Sequence, residues 1–524
     1  MNSLASEVAK FLPSTLEEKI GQLINVRIGS NLPPIRTVDE DAERIAQLID
    51  RCPIGGLTLF NGRWPSTRQV LEQLQAAAKI PLLVGSDIER GCGQQMHGMS
   101  VLPHAGAFGA ASDKQQTDGD QLAWEFGEAT AMEARMAGIN VAFAPVADTN
   151  TNPRNPIIAI RAFGSTPSKV ASMVAGFVRG CEALGVATAA KHFPGHGDTE
   201  QDSHDSLPMV SRDAASIATT ELPPFESAVA SGCSMVMTAH VAYPALDASG
   251  VPATLSSAIL QDLLRHKLGF EGVICSDSLL MSGVRDRFDS EGELCLAALL
   301  AGVDWLLDVA DPESVIDYLV RCVSDGRLEE SRIDESVHRI AKLKQRVCLK
   351  PLELESNAAN ADMPAQLAQR VALQATTPCG TETAVALSCD KPVTCLLAKP
   401  FATPLDPPEQ PFAAALREHF SHVEYFELAP GTDTAQMQAA RETAQQSQQL
   451  VLAMIVKPAA WHQFGLLDYQ LELFKELSQR PGAVVISLGV REILDQFPAA
   501  ASKICTFSDV AVSQQAVVRY LAGE

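Results

Sequence analysis

The chain has 524 residues, and 63 acidic against 41 basic side chains leave a formal charge of −22. That length exceeds one ordinary core and points to two domains, with enough apolar material to fill both. The charge argues against a nucleic-acid or anionic-membrane partner, because phosphate binding calls for a basic footprint; its simpler meaning is solubility.

Met1–Pro13 has no basic stretch leading into an apolar run and no small-residue cleavage site, so no signal peptide is expected. No run of about 18 apolar residues offers a membrane span. The first helix is announced by Thr15-Leu-Glu-Glu18, a capping box, followed by Leu16, Ile20, Leu23 and Ile24 on one helical face. Short apolar runs then alternate with longer helical patterns. The expected strands are Gln22–Ile28, Gly56–Phe60, Leu82–Asp87, Asn140–Asp148, Ala187–Phe193, Ser234–His240, Gly272–Asp277 and Asp304–Asp308. Between them, Asp120–Met136, Val170–Leu184 and Thr254–Leu268 carry helical spacing. Strands apolar on both faces, separated by helices, predict an α/β fold with a parallel sheet, best closed as a (β/α)₈ barrel. An open doubly wound sheet is the alternative, but its glycine-rich nucleotide fingerprint is missing.

Polar residues gather where these runs end: Asp87, Asp148, Lys191 with His192, His240, Asp277 and Asp308. Barrel enzymes carry their chemistry at the carboxyl ends of strands. The helix over Arg332–Gln345 closes this region. Residues 1–349 are read as the barrel, 350–380 as a linker and 381–524 as a smaller α/β sandwich. In the latter, Val393–Ala398, Val451–Ile455 and Ala483–Leu488 read as strands, and Ala413–Phe420, Ala435–Gln446 and Leu471–Ser478 as helices. The proline-rich stretch Lys399–Pro411 reads as an exposed loop. The cysteines, scattered singly from Cys52 to Cys505, suit reduced thiols of a cytoplasmic protein; Cys275, inside an apolar run, reads as packing.

The densest chemistry lies in Lys191-His-Phe-Pro-Gly-His-Gly-Asp-Thr-Glu-Gln-Asp-Ser-His-Asp-Ser-Leu-Pro208. His192 and His196 have the i, i+4 spacing of a helical zinc pair. Pro194, Gly195 and Gly197 bar a regular helix there, so a metal site is disfavoured. Asp202 and His204, two apart in an extended segment, point the same way and form a candidate acid/base pair. The simpler reading of His204 is a hydrogen-bonded loop residue. Asp277 ends an apolar strand and is a candidate nucleophile, with helix N-capping the equally simple alternative. Asp87, Arg161, Lys191, His192 and His240 could grip hydroxyls by charge-assisted hydrogen bonds, or form structural ion pairs.

These residues resemble the β-N-acetylglucosaminidase (β-N-acetylhexosaminidase) branch of glycoside hydrolase family 3. The likeness rests on Lys191–Thr199 and Asp202-Ser-His-x-x-Leu-Pro208, and runs on through Phe143–Asp148, Asn152–Pro156, Arg161–Gly164, Met237–His240, Pro252–Ser256 and Leu268–Asp277. Val485–Gly489, Phe497-Pro498 and Ala516–Glu524 resemble the family's second domain. The resemblance implies a barrel followed by an α/β sandwich and a retaining mechanism. It implies that Asp277 is the nucleophile, His204 the general acid/base and Asp202 the residue that orients it. Asp87, Arg161, Lys191 and His192 would then hold the sugar. It implies a mobile loop for the acid/base pair, for which Gly195 and Gly197 are suited. The family's D-x-E-G-G turn reads Asp87-Ile-Glu-Arg-Gly91 here, which leaves Glu89 and Arg90 without an assigned role. A terminal β-linked N-acetylglucosaminide, from muropeptides or chitin fragments, is the expected substrate, handled without cofactor or metal by a cytoplasmic monomer or homodimer. A β-glucosidase or β-xylosidase of the same family, phosphate in place of water as acceptor, and a non-catalytic sugar sensor stay open.

Overall fold

The protein is seen in a computed structural model that describes residues 11–115, 119–200, 207–348, 362–379, 386–402, 407–458 and 464–524. The chain divides into two compact units. The first comprises the described parts of Met1–Val101, Asp118–Asn152 and Ser165–Pro364, the second those of Leu102–Thr117, Pro153–Gly164 and Ala365–Glu524.

The first unit is a ring of parallel strands. In chain order they are β1 (Asn25–Ile28), β2 (Gly56–Leu59), β3 (Leu83–Ser86), β4 (Val141–Ala142), β5 (Ala187–Phe193), β6 (Met235–Thr238) and β7 (Val273–Cys275), each hydrogen-bonded to the next. The eighth position is filled by Asp304–Asp308 without a regular ladder. Parallel bridges Cys275↔Trp305 and Ile24↔Leu306 join it to β7 and β1 and close the ring. Asn25 donates to the Leu306 carbonyl at 2.9 Å, and Leu306 to that of Leu23 at 2.8 Å. The expected strand over Asn140–Asp148 pairs regularly only at Val141–Ala142. Pro145 lacks the N–H that a central ladder needs, so beyond it only the bridge Val146↔Lys191 forms.

The capping box is half built. Thr15 Oγ1 accepts from the Glu18 amide at 3.2 Å, but Glu18 reaches back to the amide of Ser14 at 2.6 Å. The helix it opens, Leu16–Gln22, runs into the residues expected to begin the first strand. Helices Gly119–Ala137, Pro167–Ala183 and Glu330–Cys348 fall where the spacing put them. No helix among the described residues is long and apolar enough to cross a membrane.

The second unit is a six-stranded sheet. Its strands are β8 (Thr377–Pro378), β9 (Val393–Ala398), β10 (Val423–Leu428), β11 (Gln449–Val456), β12 (Val484–Gly489) and β13 (Ser502–Cys505), in the order β8-β13-β12-β11-β9-β10. All pairs are parallel except β8 with β13. Strand side chains alternate between two cores. Leu452, Met454 and Val456 pack with Ala440, Ala444, Leu473 and Phe474 on one face. Val451, Ala453 and Ile455 pack with Phe412, Leu416, Val517 and Leu521 on the other. Helices Thr434–Gln446 and Asp468–Leu477 thus cover one side, and Pro411–His419 and Ala511–Leu521 the other. This is an α/β sandwich following the barrel. Met363–Ala375, within the stretch read as linker, is helical. Of the stretch Lys399–Pro411, expected to be exposed, Ala402, Pro407, Pro408 and Glu409 are exposed, whereas Lys399, Phe401 and Gln410 are buried.

Candidate active site

Three strand ends build the site. β3 runs out into Asp87, β5 carries Lys191 and His192, and β7 is followed by Ser276 and Asp277. Neighbouring side chains on a regular strand face opposite ways. Here the β5–β6 register shifts between Ala190 and Phe193, an irregularity that lets both Lys191 and His192 serve the same end of the ring.

Lys191 is buried, with Nζ 2.7 Å from Asp87 Oδ1 and 2.6 Å from Glu89 Oε1. Glu89, left without a role by the sequence, therefore shares the amine. The contact crosses about a hundred residues of chain, and nothing in the sequence signals it. Asp87 keeps a third of its side chain exposed, the more accessible member of this trio.

His192 is oriented from behind. Its Nδ1 lies 2.7 Å from Asp148 Oδ2, and its amide donates to Asp148 Oδ1 at 3.1 Å. The His196 amide donates to the same Oδ1 at 2.7 Å. Asp148 is fully buried, and its partners fix the imidazole of His192 with Nε2 directed away from it. The sequence marked Asp148 as a polar strand end; its service to two histidines is visible only in space. His196 turns its own Nδ1 to Thr199 Oγ1 at 2.8 Å. Both glycines of this turn are required by close packing. A side chain on Gly197 would meet the Thr149 carbonyl oxygen at 1.8 Å, and one on Gly195, where φ is 133°, would meet Glu221.

Asp277 is half-buried, and the Ser278 amide donates to its Oδ1 at 2.7 Å. Burial pushes its pKa up, but the imidazoles of His192 and His240, the Ser278 amide and the Lys191 ammonium together hold it below the ordinary aspartate value. No helix starts at Ser278; the next one is Ser282–Arg285, so the N-capping alternative does not hold. His240 braces this turn: its Nε2 donates to the Ser278 carbonyl at 3.0 Å, and Nδ1 is 2.7 Å from Thr254 Oγ1. Both ring nitrogens of His240 thus have protein partners, which fixes the imidazole beside Asp277. Cys275 is fully buried beside this turn, as a packing residue would be.

The structure thus brings Asp87, Lys191, His192, His240 and Asp277 into one group. Arg161 belongs to the second unit, where its Nη1 donates to the Ile157 carbonyl at 2.7 Å. Asp202 and His204 lie outside the described residues.

A carboxylate kept ionised, beside fixed donors at the carboxyl ends of barrel strands, is equipped for nucleophilic attack. The family description "Glycosyl hydrolase family 3 N terminal domain" matches residues 15–343. Beta-hexosaminidase A of Pseudoalteromonas piscicida is 37% identical over 333 residues, covering 58% of this chain and 55% of that protein, so the chain spans about half of that relative's length. A beta-hexosaminidase of Nitrosomonas eutropha is 34% identical over 300 residues, covering 55% of this chain and 85% of that one. A solved glycoside hydrolase family 3 beta-N-acetylglucosaminidase from Paenibacillus sp. superposes with a TM-score of 0.85 at 30% identity, covering 98% of this chain and 97% of that one.

Proposed function

The chain belongs to glycosyl hydrolase family 3, and from that premise we propose that it is a retaining β-N-acetylglucosaminidase. The observation that carries this reading is Asp277: a carboxylate at the end of β7, held ionised by His192, His240 and Lys191. The relatives named beta-hexosaminidase and beta-N-acetylglucosaminidase support an N-acetylated sugar as the substrate.

In the proposed reaction the Asp277 carboxylate attacks the anomeric carbon as the bond to the aglycone oxygen breaks. That oxygen takes a proton from His204, whose imidazole is oriented by Asp202. Water then attacks the anomeric carbon, gives a proton to His204 and displaces the Asp277 carboxylate. Two inversions leave the β configuration. Asp87, Lys191 and His192 hold the sugar hydroxyls, and the Asp148 pairing fixes the orientation of the His192 ring. Muropeptide or chitin fragments in the cytoplasm are the substrates we propose, through the likeness of Lys191–Pro208 to that branch.

The test compares aryl β-N-acetylglucosaminide with aryl β-glucoside, with and without phosphate, followed by product analysis. Turnover of the N-acetylated substrate to free β-N-acetylglucosamine is expected. Preference for the glucoside, or a sugar 1-phosphate product, overturns the assignment. Mass spectrometry of enzyme quenched during turnover should find the sugar esterified to Asp277.

A further inference from the structure

Behind this group lies a carboxyl that the proposed reaction does not use. Glu221 stands at the junction of helices Ala214–Thr220 and Leu222–Ala230 and is fully buried. Neither of its carboxyl oxygens has a hydrogen-bond partner among the described residues. Arg212 approaches no nearer than 3.9 Å, through Nη1, and its Nη2 is committed to Asp198 and Thr151, each at 2.8 Å. A buried carboxylate with no hydrogen-bond donor and only this distant cation would be costly; a buried carboxylic acid costs far less.

The position of Glu221 is specific. A Cβ on Gly195 would lie 2.6 Å from Glu221 Oε2 and 2.7 Å from its Cβ, so the side chain sits directly beneath the Gly195 α-carbon. The buried Tyr243 hydroxyl donates to the Gly195 carbonyl and pins that residue as well. The groups facing the carboxyl are Asp148 after β4, Asp198 on the turn after β5, Arg212 ahead of helix Ala214–Thr220, and Tyr243 beyond β6. Asp148 already spends Oδ1 on two amides and Oδ2 on the His192 ring. A second negative charge near it has nothing left there to bind.

We propose that Glu221 is a positioning residue of this site, held as the neutral acid beneath Gly195 so that Asp148 and the turn at 194–198 keep His192 oriented, and that its ionisation loosens that arrangement. Burial first, and then the charge of Asp148, push its carboxyl up to about 8 against the pull of Arg212. The inference rests on the glycosidase reading for its effect on turnover, though not for the protonation state of Glu221.

Two measurements test it. The first is the pH profile of kcat/KM on aryl β-N-acetylglucosaminide for the parent, Glu221→Gln and Arg212→Met. The parent should lose activity on the alkaline side as Glu221 ionises. One pH unit above that limb, Glu221→Gln should exceed the parent about tenfold relative to their plateaus, which is the loss that a single ionisation imposes. Arg212→Met removes the nearby cation and should move the parent's limb to higher pH. A Glu221→Gln profile that superimposes on the parent's, or an Arg212→Met limb that stays in place or moves down, overturns the proposal. The second measurement needs no turnover. The infrared difference between parent and Glu221→Gln at neutral pH should contain the carbonyl stretch of a protonated carboxyl, fading as the pH is raised. Its absence overturns the neutral acid. Failure to cleave any N-acetylglucosaminide, with that band present, overturns the enzymatic reading instead.

Discussion

Asp277 and Asp148 divide the work at the site: one is placed to react, and the other holds a partner still. Asp277→Asn should lower kcat by about 10⁴-fold or more on any aryl substrate, as removing a nucleophile does. Asp148→Asn should leave the nucleophile in place but free the His192 ring, and its main effect should be a raised KM. A fall in kcat alone would remove His192 from sugar binding. Asp277 also gives a stability prediction with a definite sign. Its folded pKa lies below its unfolded one. It therefore contributes stability above the ordinary aspartate value of about 3.9, and that contribution is lost as the pH falls through the folded value. Thermal melts across the acid range should fall less steeply for Asp277→Asn than for the parent. At this scale the sequence was informative where chemistry and strand ends coincide, as at Asp87, Lys191, His192 and Asp277. It was silent on Glu89, Tyr243 and Glu221, whose partners are distant in the chain and whose types are ordinary in sequence.

Among the elements, strands apolar on both faces were legible, because burial on both faces leaves an unbroken apolar run. Those with one exposed side were not. β10 reads Val-Glu-Tyr-Phe-Glu-Leu and lies at the sheet edge, partly exposed, and β13 is short and carries Lys503. The eighth barrel position was found, but its irregular pairing was not foreseen. Side chains compensate for that irregularity. Asp304 is fully buried at the start of this segment. Its Oδ2 lies 2.5 Å from Arg265 Nη2 and accepts from the Ile274 amide at 3.0 Å, while Oδ1 takes Ser336 at 2.7 Å and Arg339 at 3.1 Å. This is the end of the strand opposite to the chemistry, where barrel residues serve stability. Asp304→Ala strands several buried donors and should cost about 3–5 kcal/mol in denaturant unfolding. In Gly197→Ala the new methyl must displace the Thr149 carbonyl, so a loss of about 1–3 kcal/mol is expected, together with reduced activity as the His196–Asp148 contact shifts.

Across the whole chain, two units were legible from length and from the change of pattern near residue 350. What no local pattern could show is that the second unit takes in two segments from within the barrel sequence. Ala159 and Ile160 belong to the same apolar cluster as Leu452 and Phe474. The amide of His104 donates to Ser508 Oγ at 3.2 Å, and Lys114 donates to the Thr376 carbonyl. A fragment starting at residue 362 loses all of these, and should melt well below the full chain or fail to give a cooperative transition by circular dichroism. A cooperative fragment as stable as the parent would show the borrowed segments to be dispensable.

That interleaving bears on how such a protein can be inherited and rebuilt. A domain whose residues are contiguous can be exchanged by a single crossover between genes. Here a crossover near residue 350 would deliver a sheet without Leu102–Thr117 and Pro153–Gly164, and leave a barrel still carrying loops fitted to a missing companion. The two units are therefore constrained to diverge together, and a designed chimera would need all three segments transplanted at once.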